Sequence, residues 1–173
     1  VVISPDGKRV FVANSGQDTI SVINAQTQSL IGQVNLRNSL CNDPDRKRHF
    51  QPRGLAVNQD NTRLYVTRFL SFTKIGGKQG KDNGKEGLVC RLNINTNSAS
   101  ISGYVPAKAI KLPAQKTGFK TVDQSGDGVP DESTAFPNQL QSIVIRGSRA
   151  YLPNIAASPE GVLQFQNQTQ AYV

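Results

Sequence analysis

The residues with the clearest chemical potential form a short acidic stretch, DQSGDGVPDE, that begins at Asp123. Calcium prefers hard oxygen ligands, and its loops place them at alternate positions around a glycine that makes a sharp turn. Asp123, Ser125 and Asp127 occupy the first, third and fifth positions, and a glycine follows at the sixth. Val129 would offer its backbone carbonyl at the seventh position, and Asp131 a carboxylate at the ninth. The spacing predicts a calcium site, with a solvated acidic turn as the alternative.

This stretch resembles the DxDGDGxPD calcium loops of extracellular repeat modules. It differs from them at Ser125, and it has Thr134 where an EF-hand loop has its bidentate glutamate. Glu132 is the residue that would supply a late ligand instead. We expect these differences to weaken calcium binding without abolishing it. The expected role of the ion is structural, holding the segment 106–137 in place.

A repeated β-structure must position these residues. One strand–turn–strand pattern occurs three times, as VISPDGKRVFVAN, AVNQDNTRLYVTR and VIRGSRAYLPN. The copies carry an aromatic at the same place in the second strand: Phe11, Tyr65 and Tyr151. A second block follows each copy, as TISVINAQTQSLI, LVCRLNINTNSAS and GVLQFQNQTQAYV. Its turn residues coincide when the copies are aligned: Thr27, Thr96 and Thr169. Repeats of this kind indicate stacked copies of one supersecondary unit.

Each unit is predicted to be a four-stranded antiparallel sheet. The strands are rich in β-branched and aromatic residues, and turn signatures such as Ser4-Pro5-Asp6-Gly7 separate them. Such a sheet has two apolar faces that it cannot bury alone, and radial stacking of four-stranded sheets gives a β-propeller. We therefore expect an all-β propeller. Its blades are placed at 1–36, 52–105 and 138–173, with insertions at 37–51, 69–87 and 106–137.

The first unit, VISPDGKRVFVANSGQDTISVINAQTQSLIGQV, resembles the YVTN-type β-propeller repeat of exported bacterial and archaeal proteins over its whole length. The second unit matches well and the third more loosely, so the resemblance covers most of the chain outside the insertions. It implies a periplasmic or extracellular propeller. Members of the family include surface-layer proteins. Related propellers form domains of periplasmic redox enzymes, which hold haem, copper or quinone at one propeller face.

Blade number and loop placement give two further expectations. Propellers have about four to eight blades, so an arc of three blades predicts a fragment of a longer chain, or completion of the ring by other subunits. In propeller topology all three insertions open on one face. Long loops on a rigid scaffold often carry binding sites, although solvent-exposed decoration or packing against a neighbouring domain would give the same pattern.

The resemblance also bears on three residues with redox or ligand chemistry. Because the family is mostly exported, Cys41 in the first insertion and Cys90 in the next blade are expected to form a disulfide. Two free thiols, or pairing with residues elsewhere, are the alternatives. His49 is the only histidine. If this chain bound haem or copper as the redox relatives do, His49 would be the candidate ligand. The alternative is that His49 is a solvated loop residue. The sequence has no CxxC or CxxCH motif.

The formal net charge of +8 predicts a basic surface. The insertions supply the cations of a possible partner face: Arg46, Lys47, Arg48, Lys78 and Lys81. A basic face attracts acidic proteins and polymers. Aromatic residues are not interleaved with these cations, so stacking on nucleic-acid bases is not predicted. No segment of this sequence is predicted to span a membrane.

These observations predict a non-catalytic exported scaffold that binds a partner protein or a surface polymer through its decorated face. The alternative is a propeller domain of a periplasmic redox enzyme, with haem, copper or quinone at the same face. A lectin-like module is a third reading, which the low aromatic content of 6% disfavours. No Ser-His-Asp or Cys-His combination is predicted, so no catalytic residue is assigned.

Overall fold

The computed structural model describes residues 1–42, 48–123, 125–160 and 169–172. These residues form several antiparallel β-sheets, and no α-helix occurs within the four ranges. The prediction of an all-β fold is confirmed. A 3-10 turn at Ile101–Gly103 precedes the ninth strand. The strands in chain order are β1 (Val2–Ile3), β2 (Arg9–Asn14), β3 (Thr19–Asn24), β4 (Ser29–Asn35), β5 (Pro52–Val57), β6 (Arg63–Arg68), β7 (Phe72–Thr73), β8 (Lys85–Ile94), β9 (Tyr104–Leu112), β10 (Gln115–Val122), β11 (Asp131–Asn138), β12 (Val144–Arg146), β13 (Arg149–Tyr151), β14 (Asn154–Ala157) and β15 (Thr169–Tyr172).

The first sheet contains β1 to β4, and each strand pairs antiparallel with the next. Its first hairpin follows the turn signature in the sequence. Gly7 has a φ of 70° and donates its N–H to the Ser4 carbonyl, which is the positive φ that glycine adopts without steric cost. Side chains alternate between the two faces of the sheet along each strand, and on one face Phe11, Ile20 and Val22 are fully buried. The first repeat is therefore a four-stranded unit with an apolar face that needs a neighbour.

The second sheet has the same order, with β5, β6, β8 and β9 paired in succession. Strand β7 comes between β6 and β8 in the sequence and pairs with the start of β8, where Phe72 lies opposite Glu86. The second insertion therefore adds a short strand, β7, that pairs with the first residues of β8. Residues 74–84 form the loop that joins β7 to β8.

Neighbouring elements cover both faces of the second sheet. In β6, Leu64 and Val66 belong to the core shared with the first sheet, whereas Tyr65 packs on the opposite face. Ile143, which follows β11 in sequence, belongs to the core on that opposite face. The core between the first and second sheets includes Phe11, Ile20, Val22, Val34, Leu55, Leu64, Val66, Leu88 and Leu92. The first sheet, the second sheet and the chain near Ile143 therefore stack in chain order.

The segment 106–137 is largely β-strand, whereas the sequence predicts a loop there. Strand β9 continues to Leu112, and β10 and β11 form a hairpin with the acidic stretch at its tip. β11 also pairs with β14, and β14 pairs with β15, which gives a third sheet. The free edge of β11 explains this pairing, because backbone N–H and carbonyl groups at an edge need partners.

The third repeat forms its first hairpin as the pattern predicts, with β12 paired to β13 through a turn at Gly147, whose φ is 56°. Beyond that hairpin it differs from the first two repeats. Strand β14, which the repeat pattern treats as a link, joins β11, and β15 joins β14. The segment 161–168, where the pattern places the next strand, lies outside the described residues. The difference arises because the third repeat follows the β10–β11 hairpin, and β14 pairs with β11 of that hairpin.

Thr67 joins the second sheet to the chain that follows the third insertion. This fully buried hydroxyl accepts a hydrogen bond from the Gly54 N–H at 2.8 Å and donates one to the Leu140 carbonyl at 2.7 Å. We expect Thr67→Val to lower the free energy of unfolding by about 1–3 kcal/mol, because two buried polar groups lose their partner without a change of shape. Urea denaturation measures this loss, with Thr27→Val as a control at an exposed turn. A loss no larger than that of the control would contradict the assignment.

Candidate functional site

The long inserted segments of the first two sheets lie at one end of the sheets, and the opposite end carries hairpin turns alone. At the end with the hairpin turns, these turns contact each other directly. The Asp6 N–H donates to Asn61 Oδ1 at 3.1 Å, and Thr96 Oγ1 donates to Asp6 Oδ2 at 2.7 Å. We call this the plain end. The opposite end carries the segments 36–51 and 69–84, and we call it the decorated end.

The third sheet also meets the decorated end. Asn138, at the end of β11, accepts the Ser71 N–H at 3.0 Å. Glu160, which follows β14, and Asp82 in the second insertion bond reciprocally: the Asp82 N–H donates to the Glu160 carboxylate at 2.9 Å, and the Glu160 N–H donates to the Asp82 carboxylate at 2.7 Å. The second insertion is therefore bonded to the end of β11 and to the chain that follows β14.

Asp18 anchors the first insertion. It lies at the β2–β3 turn with a φ of 56°, and its side chain is fully buried. Its Oδ2 accepts from Arg37 Nε and its Oδ1 from the Gln51 N–H, both at 2.8 Å. Its backbone carbonyl accepts the Leu36 N–H at 2.8 Å. One residue thus holds both ends of the segment 36–51.

His49 belongs to the same anchor. Its Nδ1 lies 3.0 Å from Asp18 Oδ2, and its ring contacts the Arg37 guanidinium. About half of the side chain is exposed. Among the residues that the structure describes, no group of three or more His, Cys, Asp or Glu side chains is placed to hold a metal ion. A haem or copper role for His49 stays a prediction, and the structure adds that Asp18 and Arg37 engage its ring.

A disulfide joins the first insertion to the second sheet. Cys41 and Cys90 are bonded, with their Cα atoms 5.4 Å apart, and both residues are fully buried. Cys90 lies in the middle of β8, opposite Ala109 in β9. The predicted pairing of these two cysteines is confirmed. The bond ties the first insertion to the middle of β8 in the second sheet.

A cleft of about 210 Å³ opens beside this disulfide, between the two insertions and the second sheet. Its apolar lining comes from both insertions and from β8 and β9: Leu40, Phe72, Ile75, Leu88 and Ala109. Its polar lining includes Asn42, Arg68, Lys74, Glu86 and Lys111. The cleft is therefore amphipathic, with more cations than anions on its wall.

Two guanidinium groups hold Phe72 in the wall of this cleft. The Arg68 guanidinium carbon lies 4.3 Å from the ring centroid, and that of Arg48 lies 5.0 Å from it. Arg68 is itself buried and donates to the carbonyls of Leu70 at 3.0 Å and Glu86 at 3.1 Å. Cation–π contacts of this kind are attractive within about 6 Å. Of the predicted partner-face cations, Arg48 thus contacts the cleft wall, whereas Arg46 and Lys47 lie outside the described residues.

The remaining predicted cations, Lys78 and Lys81, lie on the 74–84 loop. Lys78 is exposed. Lys81 forms an ion pair with Glu160, and this carboxylate raises the pKa of Lys81. Burial disfavours ionisation of Glu160, but hydrogen bonds from Lys81 and from the Asp82 N–H outweigh it and lower the pKa of Glu160. The loop therefore presents Lys78 to solvent and uses Lys81 to hold the third sheet.

The acidic stretch forms a compact turn around Asp123. Its Oδ2 accepts the Gly128 N–H at 2.7 Å, and its Oδ1 accepts the N–H groups of Gly126 at 2.6 Å and Asp127 at 3.2 Å. Chiefly because of the Gly128 hydrogen bond, the pKa of Asp123 is lowered. Asp131 Oδ2 accepts the Ser125 N–H at 2.9 Å. The carboxylates thus fold the turn through backbone N–H groups and bring the first, fifth and ninth positions onto one exposed loop.

Of the two other proposed ligands, Glu132 lies in β11 beside the turn and Val129 lies in the turn itself. Glu132 is engaged by β10, since its Oε2 lies 2.9 Å from Lys116 Nζ and its Oε1 accepts the Gly118 N–H at 3.2 Å. The Lys116 ammonium lowers the pKa of Glu132. A calcium role for Glu132 would require these bonds to break. Val129 is exposed at the tip and donates its N–H to Asp127 Oδ1 at 2.9 Å.

Several residues of the decorated end are not evident from the sequence. Asp18 stands in a polar turn, SGQDT, that looks solvated, and Asn42, Phe72 and Lys111 lie far apart in the chain. The structure brings the last three to one cleft. No local spacing signals them, because pairing of β8 with β9 and the disulfide create their proximity.

Comparison with protein-family models, curated proteins and solved structures gives no match to this chain. Within the described ranges, no helix has the length and apolar character needed to cross a membrane. The function of this chain must therefore be inferred from its fold and from the residues of its decorated end.

Proposed function

We propose that this chain is part of an exported YVTN-type β-propeller, a non-catalytic scaffold whose decorated end binds a partner protein or a surface polymer. The ring would be completed by further blades or by other subunits. The described sheets are antiparallel and all-β, and a disulfide is typical of oxidising compartments outside the cytosol.

The observation that carries this proposal is the stacking of the second sheet. One face of this sheet packs into the core shared with the first sheet, and the other face packs into the core that contains Ile143. Sheets that stack face to face in chain order are what a propeller requires. The first sheet also exposes Ile3 by 56% and Leu30 by 61%, apolar surface that a preceding blade would cover.

The position of the insertions supports a binding role for one end. The plain end is closed by short turns that bond to one another. At the decorated end, Asp18, the disulfide and the Asp82–Glu160 pair each fix an insertion to the sheets. Loops held by a rigid scaffold are where binding residues concentrate.

A structural calcium site in the β10–β11 turn is part of the proposal. The donor chemistry fits, because Asp123, Asp127 and Asp131 supply carboxylate oxygens and the sharp turn has glycines at 126 and 128 with φ of 78° and 82°. The fit is incomplete, since backbone N–H groups occupy several of those oxygens, and no three acidic side chains among the described residues are placed to hold a metal ion. Bound calcium would replace part of this network and hold the hairpin tip.

Calcium is expected to raise the melting temperature of the protein. Extracellular calcium modules bind with Kd values of about 0.1–1 mM, and calcium at about 100 times Kd stabilises a folded protein by about 2.7 kcal/mol. Calorimetry with 10 mM calcium (about 100 times the lower of those Kd values) would detect this shift. Asp127→Asn should remove it, and Asp60→Asn, at an exposed turn of the plain end, should preserve it. A shift that magnesium reproduces, or that Asp127→Asn leaves intact, would contradict the site.

The binding role is tested by photo-crosslinking in the source cells. A benzophenone residue replaces Lys78 at the decorated end, and the matched control replaces Gln26, which is exposed at the plain end. We expect a discrete crosslinked partner from position 78 and none from position 26. Equal crosslinking from both ends, or none from position 78, would contradict binding through the decorated end.

Bound-element analysis separates this function from the redox alternative. Protein purified from its source should lack stoichiometric iron or copper, and its visible spectrum should be featureless. Stoichiometric iron, copper or a quinone absorption band would overturn the scaffold proposal in favour of a redox domain.

A further inference from the structure

The cleft beside the Cys41–Cys90 disulfide differs from the rest of the decorated end in being partly apolar. We propose that it is a docking site for an extended peptide of a partner protein, one that carries aliphatic and acidic side chains. This inference rests on the proposed function, because it names the chemistry of the partner that the decorated end binds.

The apolar part of the cleft fits one or two side chains of a peptide. Leu88 is nearly fully buried, while Leu40 is exposed by 60% and Ile75 by 85% at the rim. A volume of about 210 Å³ is below the roughly 300–1,000 Å³ of sites for drug-sized ligands and cofactors. An aliphatic side chain between Leu40 and Ile75 would remove this apolar surface from water.

A buried acceptor in the cleft lacks a donor. Asn42 is 91% buried, and its Nδ2 donates to the carbonyls of Arg37 and Arg48, both at 3.0 Å. Its Oδ1 is buried and has no hydrogen-bond partner within the described part of the chain. A buried acceptor left without a partner is costly. This oxygen is closed to solvent, so the backbone N–H of a bound peptide would reach it only after the Asn42 side chain rotates toward the cleft.

The charges of the cleft select an acidic peptide. Arg68, Lys74 and Lys111 line the cleft against one anion, Glu86, and Lys111 Nζ lies 2.9 Å from Glu86 Oε1. The cleft therefore keeps a cationic excess within a chain of net charge +8. Complementary charge favours association with acidic partners. A polyanion without apolar groups would meet the same cations but would leave Leu40 and Ile75 in water.

The experiment uses fluorescence anisotropy with two labelled peptides, one alternating aspartate with leucine and the other alternating lysine with leucine. Dextran sulfate is the competitor, since it carries anionic charge without aliphatic side chains. Leu40→Asp is compared with Val105→Asp, because Val105 is exposed to a similar extent, 51% against 60%, and lies at the start of β9, outside the cleft. Lys74→Gln is compared with Lys78→Gln on the same loop, since Lys78 does not line the cleft.

We expect the aspartate–leucine peptide to bind saturably and the lysine–leucine peptide not to bind. Leu40→Asp should weaken binding by about tenfold or more, as loss of an interface anchor does, and Val105→Asp should leave it unchanged. Lys74→Gln should weaken binding more than Lys78→Gln. Circular dichroism and thiol titration confirm that each variant is folded with the disulfide intact.

Two results would overturn the peptide site: equal effects of Leu40→Asp and Val105→Asp, or displacement by dextran sulfate that Leu40→Asp does not change. Failure of the cleft is distinguishable from failure of the proposed function. If position 78 still crosslinks a partner while the peptide fails to bind, only the cleft assignment falls. If the peptide binds to the purified protein and position 78 crosslinks nothing, the cleft keeps its affinity for acidic peptides, and the proposal that the decorated end binds a partner in the source cells falls.

Discussion

Removal of the Cys41–Cys90 disulfide is expected to lower the free energy of unfolding by about 4 kcal/mol, the chain-entropy value for a closed loop of this length. The bond spans 49 positions of sequence and joins two fully buried residues. Without it, the first insertion and β8 separate freely in the unfolded chain. Urea denaturation of the Cys41→Ser/Cys90→Ser variant, with that of the oxidised parent chain, measures the loss.

A reduction experiment supplies the control. Dithiothreitol should destabilise the parent chain and leave the double serine variant unchanged, because that variant has no disulfide to reduce. A double variant that unfolds within about 1 kcal/mol of the parent chain would contradict a stabilising role, since native disulfides are typically worth about 2–4 kcal/mol.

The second large effect is expected for Asp18→Asn, a loss of about 3 kcal/mol in the free energy of unfolding, as for hydrogen bonds to charged groups that leave donors unsatisfied. Asparagine tolerates the φ of 56° at this position, so the change isolates the loss of charge. Arg37 Nε and the Gln51 N–H both need an acceptor, and an amide has only one oxygen. The Arg37 side chain is 36% exposed, and the solvent that reaches it limits the loss.

Urea denaturation and amide hydrogen exchange together check this prediction. Asp60→Asn, in an exposed turn of the plain end, is the matched control and should stay within about 0.5 kcal/mol of the parent chain. We expect the Asp18 variant to lose exchange protection at Gln51 and Leu36, whose N–H groups bond to Asp18. Unchanged protection at both amides would contradict the anchor.

The sequence is most informative where the chemistry is local. The turn signature at Ser4-Pro5-Asp6-Gly7 and the alternation around Phe11 predict a hairpin, and the structure has one there. Tyr65 and Val66 point to opposite faces of β6, which the period of two along a strand requires. The Cys41–Cys90 pairing is also expected, from the resemblance to a mostly exported family, and the structure contains it.

The sequence is less informative where distant segments compete for partners. Residues 106–137 have few apolar residues in alternation, so the pattern predicts no strand at β10 or β11. Their hairpin then takes β14 as a neighbour, which the repeat pattern does not show. The cleft depends on this kind of tertiary proximity, since Leu40, Ile75 and Ala109 come from three separate segments.

The central claim is that the first and second sheets are neighbouring blades of a propeller with their insertions on one rim. Single-particle electron microscopy of the protein purified from its source tests it most directly. We predict four-stranded sheets arranged radially around a channel, with the Cys41–Cys90 disulfide and the inserted segments on the same rim. A particle in which these two sheets pack as a closed sandwich, without radial repetition, would contradict the account.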